Sequence, residues 1–380
     1  MLLNTSNPAL VRRCHSTLSS LLAHHRQTYL DLFFFENDIR LQGPDLSPLL
    51  ETGILRKIRE SYRANVQVIP ISGRFICTDF FYSRHRRKGK TYFTQRNGVW
   101  AILPEETPIL AQQALVKNGD TVLDLACGSG MIGIFCAKKA KHVICSDINA
   151  RAVHFARFNA MLNGVDHNME FVLGNLFSGV KKRKFDLIIW NGPTVAVPVN
   201  RKYPVYSSGG RDGAEFTRRF IDEAPTHLRP NGRLHWYDCA LGDDTMPVSL
   251  RYLIERSKNK KVRITWRSLT RAPVSLAKTF DAFERDNFNT LRKVPLACER
   301  LTAKEWQRWL AYLVHHGLTH HYFALLEVIP SKRFSVKRKF PRRDIRTNKY
   351  LNHPYWLWQS KSSVLRNLKK MESYAMGLRE

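Results

Sequence analysis

The sequence predicts an α/β fold built on a parallel sheet with crossover helices. From about residue 119 short apolar runs alternate with amphipathic stretches of helical period. The first of these runs passes through a glycine-rich turn into a helix. A length of 380 residues leaves room for one main core with additions at both ends.

The strand-like runs are 121–125, 143–146, 171–173, 185–190 and 233–237. Helical stretches fill 131–139, 150–163 and 213–227, and the last closes on the turn Pro230-Asn231-Gly232. Two more strands are predicted at 262–266 and 321–328 with a helix at 303–315 between them, so seven strands are available. Ahead of the sheet, 8–30 and 46–63 carry helical periodicity, while 66–71, 74–81 and 90–94 read as short strands, which makes a small α+β module. After Pro330 charges interleave with aromatics and no core face forms, predicting a flexible basic arm. The expected division is therefore an accessory module over 1–97, the main domain over 98–330 and a basic extension over 331–380.

Sixty-one Lys and Arg against 32 Asp and Glu give a formal charge of +29. Residues 1–100 carry +8 of it, residues 101–250 only +2, and residues 251–380 carry +19. A balanced centre with basic flanks suits a polyanionic partner, because phosphate attraction needs clustered cations rather than a particular fold. The candidate contacts to RNA or a ribonucleoprotein are Arg84, Arg86, Arg87 and Lys88 in the first flank. In the second they are Lys332, Arg333, Lys337, Arg338, Lys339, Arg342 and Arg343. The seven cysteines form no C-x-x-C pair, and no apolar run is long enough to span a bilayer, so a reducing cytoplasm is the expected setting. The pairs His24-His25, His315-His316 and His320-His321 lack the spacing and the glutamate of a zinc helix, so no metal is expected.

The strongest local signal is Asp124-Leu125-Ala126-Cys127-Gly128-Ser129-Gly130-Met131-Ile132-Gly133. Gly128 and Gly130 allow a sharp turn and close backbone approach to a ligand, and Gly133 allows the helix to pack on the strand. G-x-G-x-x-G alone suits any adenine nucleotide. Asp124, four residues before the first glycine, favours a cationic ligand end over a pyrophosphate. Asp147, ending the next strand, is placed to accept hydrogen bonds from both ribose hydroxyls.

This order of residues, continued by Asp147-Ile148-Asn149, Phe158-Asn159-Ala160 and Asn163-Gly164, resembles the HemK/PrmC-like, or methyltransferase small domain, class of S-adenosylmethionine-dependent enzymes. The resemblance spans roughly 98–240 and includes Pro104 to Thr107, Ser207 to Gly213, and Leu228 to Gly232. It implies a Rossmann-like seven-stranded methyltransferase sheet with S-adenosyl-L-methionine as cofactor. The implied cofactor-binding residues are Thr107, Asp124, Ala126, Gly128, Gly130, Gly133, Asp147 and Ile148. Asn175, Leu176 and Phe177 follow as the adenine side, with Asn191 beside the methyl group.

The family's reactive motif, Asn-Pro-Pro-aromatic, corresponds here to Asn191-Gly192-Pro193-Thr194. The resemblance assigns catalysis to Asn191, Gly192 and Pro193, with the Asn191 amide and the next carbonyl orienting a target nitrogen. The first proline and the stacking aromatic are missing, which opens the question of target class. Trp190, one residue earlier on a strand, points to the opposite face and is expected in the core. The leading expectation is an N-methyltransferase acting on RNA or a ribonucleoprotein. The alternatives are methylation of a protein side-chain amide or small metabolite, and a noncatalytic scaffold that binds cofactor or RNA.

Overall fold

The computed structural model describes residues 3–80, 97–99, 106–197, 205–276, 303–342, 362 and 364–369. The basic stretch containing Arg84, Arg86, Arg87 and Lys88, the strand expected at 90–94, and Arg343 lie outside them. Two compact units divide the chain, one of Met1–Asn175 with Pro354–Glu380 and one of Leu176–His353.

In the first unit, helices α1 (Pro8–His24), α2 (Arg26–Phe33) and α3 (Ser47–Glu51) precede two hairpins. Pro8 stands in the first turn of α1 and the Asn7 side chain accepts from the Leu10 amide, so the helix is capped as its sequence suggests. The helix expected over 46–63 stops at Glu51. Gly53 there takes a φ of 77°, a conformation that ends helices. Strands β1 (Leu55–Ile58) and β2 (Ser61–Ala64) then pair antiparallel around Arg59 and Glu60, with Arg59 at φ 52°. Likewise β3 (Gln67–Ile71) and β4 (Arg74–Thr78) pair around Ser72 and Gly73. The first stretch of helical period, 8–30, is broken at His25 into α1 and α2.

The same unit holds α4 (Thr107–Gln112), β5 (Thr121–Leu125), α5 (Met131–Ala137), β6 (His142–Asp147), α6 (Ala150–Leu162) and β7 (Met169–Leu173). β6 lies between β5 and β7 and is parallel to both. Strand-helix alternation thus produces the parallel crossovers expected of it.

In the second unit β8 (Phe185–Trp190) pairs parallel with β9 (Leu228–Gly242), with α7 (Glu215–Glu223) between them in the chain. After α8 (Val248–Ser257) come β10 (Val262–Ser268), the short β11 (Val274–Ser275), α9 (Ala303–His315) and β12 (His320–Pro330). β12 inserts between β9 and β10, antiparallel to both. The flexible arm expected after Pro330 is corrected here: Ser335–Lys339 forms β13, parallel to β10. The charge pattern hid it, because an edge strand buries little of either face and so shows no apolar run. The molecule is α/β with a Rossmann-like sheet, and α5 and α6 supply the buried faces that position the glycine turn.

Candidate active site

β5 runs into the glycine turn with Asp124 fully buried. Ala126 (φ 58°), Gly128 (φ 54°) and Gly130 (φ 77°) all take left-handed backbone conformations, so the strand reverses within five residues and α5 starts at once. A Cβ on Gly130 would lie 2.7 Å from Cβ of Ala156, and one on Gly133 2.5 Å from Sγ of Cys145. Those glycines let α5 pack against α6 and the sheet. Gly128 differs, since no atom lies within 4 Å of where its Cβ would stand. The space beside its Cα is open to a ligand.

Asp124 does more than its spacing suggests. Its Oδ2 accepts from the Gly133 N–H at 2.8 Å, anchoring the first turn of α5, while the buried Oδ1 has no hydrogen-bond partner. Burial pushes its carboxyl up to about 7, against the opposing effect of the Gly133 bond and with help from the Asp147 charge.

Asp147 ends β6 and accepts one backbone N–H on each oxygen, Gly128 at 2.9 Å and Asn149 at 2.8 Å. Burial raises its carboxyl too, and the amides of Asn149 and Gly128 oppose that. Each oxygen keeps a further lone pair, which is what two ribose hydroxyls need. Beside it, Ile148 and Leu173 are 51% and 57% exposed at the carboxyl ends of neighbouring parallel strands. Apolar side chains this open at the usual ligand edge of a parallel sheet offer a platform for a flat base. Two ribose acceptors, an apolar platform, the open space beside Gly128 and an orphan carboxylate oxygen fit S-adenosylmethionine.

Asn159 of the same motif braces the glycine turn. Its buried amide accepts from the Cys77 N–H at 2.8 Å and donates to the carbonyls of Cys77 and Ser129, both at 2.9 Å. One turn on, Asn163 does the same to both backbone groups of Phe75. The glycine turn is thereby tied to β4. The available signal was an asparagine inside the helix, where asparagine is a poor former, with a second one turn on at its C-cap. Asp79 adds to this brace, accepting from the Val99 amide at 2.7 Å and pairing with Arg151 at the start of α6.

Thr107 opens α4, which packs on α5. Asn175 is exposed at the end of the first unit. In the second unit Leu176 takes φ 50° and is 8% exposed. Phe177 is buried and stacked on His227 at 4.5 Å, parallel also to Phe220 at 6.3 Å. That ring is committed to the core rather than to an adenine.

Asn191, Gly192 and Pro193 follow β8 at its carboxyl end, half-buried. Trp190 is buried as expected and stacks on Phe220 at 5.2 Å. Its indole covers Gly192 so closely that a Cβ there would sit 2.0 Å from Cζ2. The glycine in place of the family's first proline is therefore matched to the tryptophan before it. The glycine-rich loop holds the next segment, with Val195 N–H bonded to Ser207 O at 2.9 Å and Gly209 N–H to Val195 O at 2.8 Å. Among the described residues no cluster of three His, Cys, Asp or Glu is arranged to hold a metal, and no helix is long and apolar enough to cross a membrane.

The family model "methyltransferase small domain" matches residues 91–237. A Methanocaldococcus jannaschii protein assigned as a protein N5-glutamine methyltransferase is 42% identical over 170 residues, which cover 42% of this chain and 84% of that one. The chain belongs to this family of S-adenosylmethionine-dependent methyltransferases. A release factor glutamine methyltransferase of Xylella fastidiosa is 32% identical over 38% of this chain and 60% of its own length. A ribosomal protein uL3 glutamine methyltransferase of Bradyrhizobium diazoefficiens is 34% identical over 30% of this chain and 39% of its own. This chain thus matches less than two thirds of the length of those bacterial relatives.

Proposed function

We propose that this methyltransferase modifies the side-chain amide nitrogen of a glutamine in a protein substrate. The observation that carries the reading is the M. jannaschii relative, 42% identical and matched over 84% of its length, whose name specifies that reaction. The expectation that RNA is itself the methyl acceptor gives way to the amide alternative, because the two bacterial relatives named above are also called glutamine methyltransferases.

When bound, S-adenosylmethionine supplies an electrophilic methyl group whose sulfonium departs as a neutral thioether. Asp147 would hold the ribose beside the open space at Gly128, with Ile148 and Leu173 against the adenine. Oδ1 of Asp124 would face the methionine ammonium, whose charge favours loss of the proton that burial otherwise retains. The Asn191 side-chain oxygen and the following backbone carbonyl accept the two N–H bonds of the target amide. That grip turns the nitrogen lone pair out of conjugation and toward the methyl carbon, so catalysis is mainly orientation. An N–C bond forms as the C–S bond breaks, one amide proton passes to solvent, and the products are N5-methylglutamine and S-adenosylhomocysteine.

The test is incubation of the protein with isotopically labelled cofactor and ribosome-containing lysate, followed by mass spectrometry of protein and RNA digests. Label on glutamine, lost in Asn191→Ala while S-adenosylhomocysteine still binds, supports the reading. Label confined to RNA overturns it.

A further inference from the structure

We infer that the β10–β13 edge of the second unit is a docking surface for single-stranded RNA. The inference rests on two features of that edge and, for the choice of RNA over other polyanions, on the proposed function, whose bacterial relatives are named for a release factor and a ribosomal protein.

The first feature is geometric. β13 pairs with β10 in parallel register, Arg263 with Ser335, Thr265 with Lys337 and Arg267 with Lys339. Partners in register share a face, and residues two apart along a strand share it too. Arg263, Arg267, Lys337 and Lys339 therefore form one stripe, in which Arg263 and both lysines are exposed. On the opposite face the Arg338 guanidinium lies over Trp266 at 5.3 Å and Phe340 at 5.5 Å, and it donates to the Thr245 carbonyl at 2.7 Å. Phe340 is 45% exposed. Cations that track a strand are what backbone phosphates require, and Phe340 offers an unstacked base an open ring on the other side of the same edge.

The second feature is charge. Segments 256–275 and 328–342 hold thirteen Lys and Arg and no Asp or Glu. Three of these cations pair with acids outside the two segments, Arg256 with Asp222, Lys258 with Glu255 and Arg267 with Glu327. A lone lysine suffices to keep an edge strand from pairing with another chain. The excess here goes well beyond that need, and it supplies the field a polyanion would follow.

The test is fluorescence anisotropy of a labelled single-stranded RNA oligonucleotide titrated with the full chain across a salt series. Methylation of a glutamine peptide is measured separately, so failure of one reading does not register as failure of the other. Each phosphate contact adds about 0.7 to the slope of log affinity on log salt. Lys337→Gln with Lys339→Gln should therefore flatten the slope by about 1.4, while the two Lys→Arg replacements keep it. Phe340→Ala should weaken binding severalfold at an unchanged slope. An unaltered slope in the double Gln variant, confirmed as folded by its thermal melt, overturns the inference. Displacement of the RNA by polyglutamate of equal charge at equal concentration overturns it as well, in favour of an acidic protein partner.

Discussion

The indole of Trp190 stands where a side chain on Gly192 would have to be, with Cζ2 2.0 Å from the position of the missing Cβ. Gly192→Ala should therefore destabilise the protein by about 1–3 kcal/mol, the usual cost of overfilling a packed site. Adding Trp190→Leu should recover part of that loss, since the two changes are coupled. Urea midpoints at constant m decide it, and a Gly192→Ala midpoint equal to that of the parent would refute the steric match.

Asp147→Asn tests the ribose acceptors. An amide has one oxygen where the carboxylate has two, so it cannot accept from both Gly128 and Asn149 while receiving two hydroxyls. Calorimetry with S-adenosylhomocysteine should show affinity lowered about tenfold or more. Unchanged affinity would remove Asp147 from the site.

Asp124 makes stability depend on pH. In the folded chain it holds its proton up to about 7, while an exposed aspartate releases it near 4. Between those values the folded state binds more protons, so stability is greatest below the window, falls as pH rises through it, and stays at its lower level above 7. Asp124→Asn should flatten that fall between pH 5 and pH 8 in denaturant titrations. Asp147 and Asp238, also buried and raised, keep part of that fall, and the buried His235, lowered to about 3, opposes it below its usual range. An unchanged pH profile in the variant would mean that Asp124 is ionised throughout.

Asn159→Ala leaves the Cys77 N–H and the Cys77 and Ser129 carbonyls without their buried partner. At about 1–3 kcal/mol for each orphaned group, the loss should reach several kcal/mol. Amide exchange at Cys77 should quicken, and cofactor affinity should fall because the glycine turn loses its tie to β4. Full affinity in a variant that is destabilised but folded would confine Asn159 to a structural role.

Much of this architecture was legible in the sequence because it follows from short-range pattern. The run ending in Asp147 and the turn through Gly130 are set by alternation and by positive φ, both local properties. The turn at Gly53 was passed over because helical periodicity continued across it. β13 was missed because its cations carry no apolar alternation. The pairing of Trp190 with Gly192 and the grip of Asn159 on Cys77 depend on which surfaces meet, and nothing local encodes that. The substitution of glycine for the family's first proline was visible, whereas its cause, an indole filling the same space, required coordinates.

The insertion of β12 between β9 and β10 has a temporal consequence. His320 pairs with Gly242 and Val328 with Leu234, so contacts separated by 78 to 94 residues must close before either older strand gains its neighbour. During synthesis β9 waits with one open flank and β10 with both, because β12 and β13 both follow it, until the ribosome has released residues near 340. Such long closures are slow, and unpaired flanks invite association with other chains. A nascent chain stalled before His320 should therefore be a substrate for chaperones, whereas one released past Lys339 should not.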